Sequence, residues 1–176
     1  MRITTGIEGL DSIIGGGLPQ ARLYLLEGPP GSGKTTLSLQ FLLEGLRRGE
    51  RCLYITLSET AEELREVALA HGWSLDGLHL FELGSAEGAM GNGRLQSVLH
   101  SWEMELDETV NLIMSKVDSI GPTRVVFDSL SELRLLAQDS LRYRRQILAL
   151  KQFFAPKSAT VFLVDDLTST GDERDG

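Results

Sequence analysis

The sequence of this chain contains one cysteine, no long apolar run and fewer basic than acidic residues. Cys52 has no second cysteine to pair with, which excludes an intrachain disulfide, and its place in RCLYITL indicates a small, buried strand residue. No stretch approaches the roughly 20 apolar residues needed to cross a bilayer, and the N-terminus MRITTGIEG has no apolar run. We therefore expect a cytoplasmic protein without a membrane partner.

The shortage of basic residues bears on nucleic-acid binding. The chain has 17 lysines and arginines against 25 aspartates and glutamates, which gives a formal charge of −8 at pH 7. General nucleic-acid surfaces are basic because they neutralise phosphates, so this balance argues against nucleic acid as a partner, although a local DNA-binding loop stays open. The three histidines, His71, His79 and His100, lack ligand spacing, which argues against a zinc site.

The most informative segment that is present is GPPGSGKTT, which fills every fixed position of the phosphate-binding pattern GxxxxGK(S/T). Its glycines let the backbone turn tightly and point successive N–H groups at phosphate oxygens. Lys34 can then reach the β and γ phosphates of a nucleoside triphosphate, and Thr35 offers its hydroxyl to Mg²⁺. We assign nucleotide contacts to the whole run: Gly28, Pro29, Pro30, Gly31, Ser32, Gly33, Lys34, Thr35 and Thr36.

The segments around this loop have the order that it requires. Residues 22–27 (RLYLLE) are typical of a short buried strand, and Gly49 predicts the end of the helix that follows the loop. That helix has an apolar stripe formed by Leu39, Leu42, Leu43 and Leu46. The strand CLYITL comes after a short connection, which is the βαβ rhythm of a parallel sheet.

The alternation of strands and helices continues along the chain. A capping box of Thr60 and Glu63 predicts a helix that ends near His71, and residues 78–83 predict a strand. Residues 84–93 (GSAEGAMGNG) predict a mobile loop. The remaining predicted elements are a helix with Leu106, Val110, Ile113 and Val117 at helical spacing, a strand in residues 124–130, a helix with a stripe of Tyr143, Ile147, Leu150 and Phe154, and a strand in residues 159–164.

Two carboxylates follow buried strands and are the candidates for chemistry. A nucleotide site of this kind needs a carboxylate at the end of a strand to help hold Mg²⁺, and Asp128, at the end of RVVFD, fits that position. Hydrolysis also needs a group that orients or deprotonates water, for which we choose Glu59, after the strand CLYITL. The alternatives are that Asp128 caps a turn and that Glu59 is only an acid at a helix start.

Other charged residues are weaker candidates. Glu132, Asp165 and Asp166 also follow apolar runs, and of these Asp165 is best placed to sense the γ phosphate because it ends a strand directly. An arginine cluster could stabilise phosphate charge across a subunit contact, although a solvated helix face is the alternative; it consists of Arg142, Arg144 and Arg145.

Several segments together resemble the KaiC-like family of the RecA superfamily of ATPases. TTGIEGLDSIIGGGLP (residues 4–19) is similar to that family's entry segment TGIxGLDxxxGGGxP and runs directly into the phosphate loop. RVVFDSLSELR resembles the family's magnesium-site strand, YRRQILALKQFF its Arg-Arg helix, and VDDLTS its sensor segment. The resemblance covers nearly the whole chain and implies ATP and Mg²⁺ as ligands.

The resemblance also implies an arrangement and an assembly. The sensor strand is expected between the phosphate-loop strand and the magnesium strand, and ATP is expected to bind between subunits of a homo-oligomeric ring, usually a hexamer. Membership of a regulatory family implies a regulatory protein partner, which the sequence does not identify. Because the family's sheet continues past the sensor strand, we expect this chain to be the front of a longer protein.

One departure from the family affects the expected rate. The cyanobacterial circadian clock protein belongs to this family. It has two adjacent glutamates after the second strand, where this chain has Ser58 and Glu59. Only the second glutamate of the pair is retained, so Glu59 alone can take the role of base that the resemblance implies. Hydrolysis is therefore expected to be slow.

The sequence alone leads to one interpretation and two alternatives. We expect residues 1–167 to form an α/β domain, a three-layer RecA-like P-loop NTPase with a mainly parallel sheet, and residues 168–176 to be a polar tail. This domain would be an Mg²⁺-dependent ATPase module. Its catalytic residues would be Lys34, Asp128 and Glu59, and its metal ligands would be Thr35 and Asp128. The alternatives are a serine/threonine autokinase and a recombination or signalling scaffold that binds ATP to assemble and hardly turns over.

Overall fold

Strands and helices alternate through the part of the chain that the computed structural model describes, residues 1–83 and 102–167, with side chains described from residue 106 in the second range. The strands are β1 Arg2–Ile3, β2 Leu18–Pro19, β3 Leu23–Gly28, β4 Cys52–Thr56, β5 His79–Glu82, β6 Arg124–Asp128 and β7 Thr160–Asp166. The helices are α1 Glu8–Ile13, α2 Lys34–Arg47, α3 Ala61–Ala70, α4 Trp102–Ile120, α5 Leu130–Ala137 and α6 Ser140–Phe154. None of these helices combines the length and the apolar character that a membrane span needs.

Five of the strands form one parallel sheet in the order β3-β7-β6-β4-β5, and β1 and β2 pair separately as a small antiparallel ribbon. β4 and β6 are buried on both faces, and seven of their ten residues are apolar, which agrees with the parallel sheet that the sequence predicted. The sensor strand β7 lies between β3 and β6, which confirms its predicted position.

Alternating residues of the strands build two cores, one on each face of the sheet. On one face α2 and α3 pack against side chains that include Tyr54, Val126 and Phe162. On the other face α4, α5 and α6 pack against side chains that include Ile55, Val125 and Leu163. Helices therefore cover both faces, and the three-layer α/β fold with a parallel sheet is confirmed.

The structure corrects the sequence interpretation between residues 129 and 139. The sequence predicted a strand that continues to Leu130 and then a gap, but the strand ends at Asp128 and Leu130 begins α5. The buried residues of this helix have helical spacing: Leu130, Leu133 and Ala137. Because the helix has only eight residues, this pattern is too short to predict a helix from the sequence. The capping box of Thr60 and Glu63 is confirmed, whereas the loop predicted in residues 84–93 lies outside the described residues.

A fully buried arginine connects three segments at the edge of the sheet where the strands begin. Arg124 Nε and Nη2 donate to the Glu50 carboxylate at 2.9 and 3.0 Å, and its Nη1 donates to the carbonyl oxygens of Thr4 and Phe41 at 2.7 and 2.9 Å. Burial favours a raised pKa for Glu50, but the hydrogen bonds and charge of Arg124 bring that pKa below its ordinary value. Removal of the Glu50 charge would leave the buried Arg124 without its carboxylate partner.

Gly45→Ala should destabilise the protein, because Gly45 of α2 gives Arg124 its space. A Cβ at this position would lie 2.6 Å from both Arg124 Cδ and Cys52 Sγ, and both side chains are fully buried. Overpacking costs about 1–3 kcal/mol, which outweighs the gain of up to ~1 kcal/mol in helix propensity. Free energies of unfolding from urea titrations would measure the loss.

The matched control is Gly9→Ala in α1, where an added Cβ meets nothing within 4 Å. This variant should be as stable as the wild type or more stable, because only the propensity changes. Equal effects of the two substitutions would contradict a packing role for Gly45.

Candidate functional site

The phosphate loop connects the end of β3 to the start of α2. Gly31 and Gly33 have φ values of +77° and +93°, which L residues with side chains rarely adopt. A Cβ on Gly28 would lie 2.6 Å from Ser32 Oγ, so the loop closes tightly over its first glycine. Gly33 is the N-cap of α2 and supplies no side-chain hydrogen bond, which leaves the first N–H groups of a 14-residue helix available to an anion.

Lys34 lies folded over this loop. Its Nζ donates to the carbonyl oxygens of Gly28 and Pro29, both at 2.8 Å, and lies 2.9 Å from Asp166 Oδ1. The Lys34 side chain is only 10% exposed. The cation that the sequence assigned to the β and γ phosphates is therefore held at the mouth of the loop by oxygen atoms of its own chain.

Parallel pairing brings the carboxyl ends of four strands to the same edge of the sheet. Gly28 pairs with Asp166, and Asp128 pairs with both Val164 and Thr56. The sequence-predicted residues Lys34, Thr35, Asp128 and Glu59 all belong to the segments that end or begin at this edge. Ligands of open parallel α/β sheets bind at that edge.

Asp128 is a buried carboxylate held by a tyrosine. The Tyr54 hydroxyl donates to Asp128 Oδ2 at 2.6 Å, which leaves Oδ1 for another partner. Burial raises the pKa of Asp128 and the Asp166 charge adds to this effect, while the hydrogen bond from Tyr54 and the charge of Lys34 oppose it. Burial also raises the pKa of Tyr54 well above its ordinary range, with the Asp128 charge adding to this. Tyr54 therefore acts as a neutral donor at any pH near 7.

Sequence reasoning missed Tyr54, although a signal was present. A hydroxyl in the otherwise apolar strand CLYITL must find a partner when it is buried, and the neighbouring strand end supplies one. A polar contact of the Thr35 side chain with Tyr54 lowers the pKa of the tyrosine against the effect of burial. Tyr54 thus lies beside both residues that were predicted as metal ligands.

Glu59 lies in the turn between β4 and α3, and Thr56 fixes its backbone. Thr56 Oγ1 accepts from Glu59 N–H at 3.0 Å and donates to Glu59 O at 2.7 Å. Among the described residues, Glu59 Oε2 is buried and has no hydrogen-bond partner. Burial raises the pKa of Glu59, and the charges of Asp128, Glu63 and Asp166 raise it further. A carboxylate with a raised pKa is a stronger base toward water than an ordinary one.

Asp165 and Asp166 point in different directions because neighbouring strand residues face opposite sides of a sheet. Asp165 accepts from Ser131 Oγ at 2.7 Å and from Arg134 Nη2 at 2.6 Å. Asp166 rather than Asp165 is the residue in contact with Lys34. A γ-phosphate-sensing role for Asp165 stays a prediction, and its observed partners belong to α5.

The remaining candidates lie apart from the loop contacts. Glu132 follows β6 and raises the pKa of Asp128. Of the arginines on α6, Arg144 and Arg145 are exposed, whereas Arg142 is half-buried and its Nη1 donates to Ala137 O at 3.4 Å. The arrangement leaves Arg144 and Arg145 as a solvated helix face within this chain.

The residues at this edge fit a magnesium nucleotide by their chemistry. The glycine loop offers N–H groups and a cation to phosphates, and Thr35 offers a hydroxyl. Asp128 presents one carboxylate oxygen beyond the Tyr54 hydrogen bond. Together with Glu59 Oε2, which has no partner in the described part of the chain, these groups define a RecA-like P-loop nucleotide-binding domain.

Comparison with known proteins assigns the family. A family model described as “ATPase: KaiC” matches residues 3–176. The chain therefore belongs to the KaiC-like ATPase family, which confirms the resemblance recognised in the sequence.

Relatives and solved structures agree with this assignment. A UPF0273 protein of Methanopyrus kandleri is 30% identical over 174 residues, which cover 96% of this chain and 68% of that protein. The circadian clock oscillator protein KaiC of a Picosynechococcus species is 34% identical over 134 residues, which cover 75% of this chain and 24% of that protein. The crystal structure of a KaiC-like protein from the archaeon Pyrococcus horikoshii has a TM-score of 0.76 at 25% identity and covers 97% of this chain and 72% of that one.

Asp128→Asn should stabilise the metal-free protein at neutral pH. The raised pKa of Asp128 means that its ionisation opposes folding, so its contribution is complete below the ordinary aspartate pKa and lost as the pH rises through the folded value. Asparagine cannot ionise, yet it can accept the Tyr54 hydrogen bond. Unfolding free energies in EDTA should differ little near about pH 4 and favour the variant increasingly toward about pH 8.

The control for this measurement is Asp76→Asn, which changes an exposed carboxylate. Its effect on stability should be small at every pH, as for most surface substitutions. A stability difference between Asp128→Asn and wild type that stays constant with pH would contradict the raised pKa of Asp128.

Proposed function

We propose that this chain is an Mg²⁺-dependent ATP-binding and ATP-hydrolysing module of a KaiC-like regulatory ATPase. The observation that carries the proposal is the meeting of Lys34, Asp128 and Glu59 at one edge of the sheet around the phosphate loop. Lys34 and the loop N–H groups supply binding, Asp128 supplies a carboxylate for a cation, and Glu59 supplies a base.

Binding in this proposal depends on groups already in position. The N–H groups of the loop and of the first turn of α2 cradle the phosphates, and Lys34 moves from its contacts with Gly28, Pro29 and Asp166 to the β and γ phosphates. Thr35 and Asp128 hold Mg²⁺, while Tyr54 keeps the Asp128 carboxylate oriented. Mg²⁺, when bound, neutralises charge on the β and γ phosphates.

Hydrolysis requires a proton acceptor near the γ phosphate. Glu59 Oε2 has no partner among the described residues and is shielded from solvent, so it is free to accept a hydrogen bond from water. Its raised pKa makes it a better proton acceptor than an ordinary glutamate. Because Ser58 stands where the family's clock protein has the first of two adjacent glutamates, we infer slow turnover.

The oligomeric part of the proposal rests on the family. We infer that the site works between subunits of a homo-oligomeric ring, a hexamer, and that a regulatory protein reads the nucleotide state. Groups supplied by a neighbouring subunit can be worth 10³–10⁵-fold in phosphoryl transfer, so turnover should depend on assembly. Light scattering with and without ATP would detect the ring.

Lys34→Ala should abolish tight binding of ATP, because the cation at the mouth of the loop is lost. Calorimetric titration with ATP in the presence of Mg²⁺ is the measurement, and a loss of affinity of at least tenfold is expected. The matched control is Lys157→Ala, since Lys157 also pairs with an aspartate, Asp118, at 2.6 Å. Equal ATP affinity of wild type and Lys34→Ala would refute the phosphate-loop assignment.

Glu59→Gln should preserve ATP binding and lower phosphate release. An amide can hold a water but cannot accept its proton, and a general base contributes typically 10²–10⁴-fold. Glu62→Gln is the control, because Glu62 lies in the first turn of α3, the helix that follows Glu59, and 78% of its side chain is exposed. Turnover by Glu59→Gln at the wild-type rate would identify another base.

Two measurements separate hydrolysis from the two alternatives. With γ-labelled ATP, hydrolysis releases the label as free phosphate, whereas an autokinase leaves the label on the protein. A scaffold would release almost no phosphate, and light scattering would show that its molar mass increases with ATP. Either of these results in the assembled wild-type protein would replace the hydrolase proposal.

A further inference from the structure

The loop cation Lys34 is engaged by a carboxylate that the proposed reaction does not use. Asp166 Oδ1 lies 2.9 Å from Lys34 Nζ, and the two side chains are 40% and 10% exposed. Asp166 ends β7 at the level of Gly28, and its N–H is held by Ser131 Oγ at 3.1 Å. Hydrogen bonds therefore fix the backbone of Asp166, while Lys34 is held through its side chain.

The charges around this ion pair are mainly acidic. The Asp166 charge raises the pKa of both Asp128 and Glu59, so these two carboxyl groups lie within reach of its charge. Glu132 adds to the effect on Asp128, and Glu63 adds to the effect on Glu59. Arg134 of α5 pairs with Asp165 and not with Asp166. A triphosphate at the loop thus meets one lysine and several carboxylates.

We propose that Asp166 is a specificity-determining residue that makes this site select the magnesium complex of ATP over free ATP. The inference rests on the ATP-binding function proposed above. A triphosphate that takes Lys34 from Asp166 brings phosphate charge next to a carboxylate whose counter-ion has just been removed. Mg²⁺ offsets part of the phosphate charge, so this repulsion falls most heavily on the free nucleotide.

The Asp166→Asn variant tests this inference because it keeps the shape of the side chain and removes its charge. The Asp166 carboxylate makes no described hydrogen bond or ion pair except with Lys34, so the fold should be retained. Calorimetry would give the Kd of wild type and variant for ATP in excess EDTA and for ATP in excess Mg²⁺. Asp166→Ala removes the same charge with a different side chain and should reproduce the result.

The matched control is Asp118→Asn. Asp118 also forms an ion pair with a lysine, Lys157, but Asp118 lies near the end of α4, before β6 begins, and Lys157 lies before β7 begins. This pair is therefore away from the carboxyl ends of the strands, where the phosphate loop lies. This substitution changes the net charge of the chain by the same amount. It should leave both dissociation constants unchanged, which separates a local effect from a general one.

The expected result is a change in selectivity. Loss of the Asp166 charge should lower the Kd for free ATP on the order of tenfold and change the Kd for the magnesium complex by less than about threefold. An equal or higher Kd for free ATP in Asp166→Asn would overturn the inference, although the proposed function would stand if wild type binds ATP with Mg²⁺. A higher Kd for the magnesium complex alone would make Asp166 a metal-holding residue and also overturn it. Failure of wild type to bind ATP under both conditions would overturn both proposals.

Discussion

The parallel register of β3, β7, β6 and β4 is the constraint on which the whole site depends. Hydrogen bonding in this register puts Gly28 beside Asp166, and Asp128 beside Thr56, although these residues are far apart in sequence. A slip of one residue would turn every side chain of a strand to the other face. The buried apolar residues on both faces therefore fix the register, and the register in turn sets the distances between the loop and the carboxylates.

The carboxylate charges at this edge of the sheet destabilise the ligand-free protein, and a bound cation would offset them. Burial raises the pKa of Asp128 and of Glu59, so both carboxylates are costly to ionise in the folded chain. The Lys34–Asp166 ion pair offsets only part of this acidic charge. Carboxyl groups with shifted pKa values are typical of functional sites, because a bound cation or a proton transfer removes the unfavourable charge. We therefore expect stability and the proposed function to place opposite demands on Asp128.

A large part of the fold and the phosphate loop could be predicted from the sequence. The glycine loop with Lys34 is a local pattern, and a local pattern specifies its own backbone geometry. The parallel strands followed from short apolar runs that alternate with helical stripes, and Asp128 followed from its place at the end of such a run. The short helix α5 was missed because eight residues give little more than two turns of periodicity, and the strand-like run before it extends to Leu130.

Contacts between segments distant in sequence could only be decided by the tertiary structure. No spacing along the chain shows that Tyr54 bonds to Asp128, 74 residues later. Order along the chain favoured Asp165 over Asp166, because Asp165 follows the apolar run directly, but it could not show which of the two contacts Lys34. The direction in which β7 presents its alternating side chains makes the distinction, and turns Asp166 to Lys34 and Asp165 to α5. Local composition determined which groups are present, and the packing of the sheet decided which of them face one another.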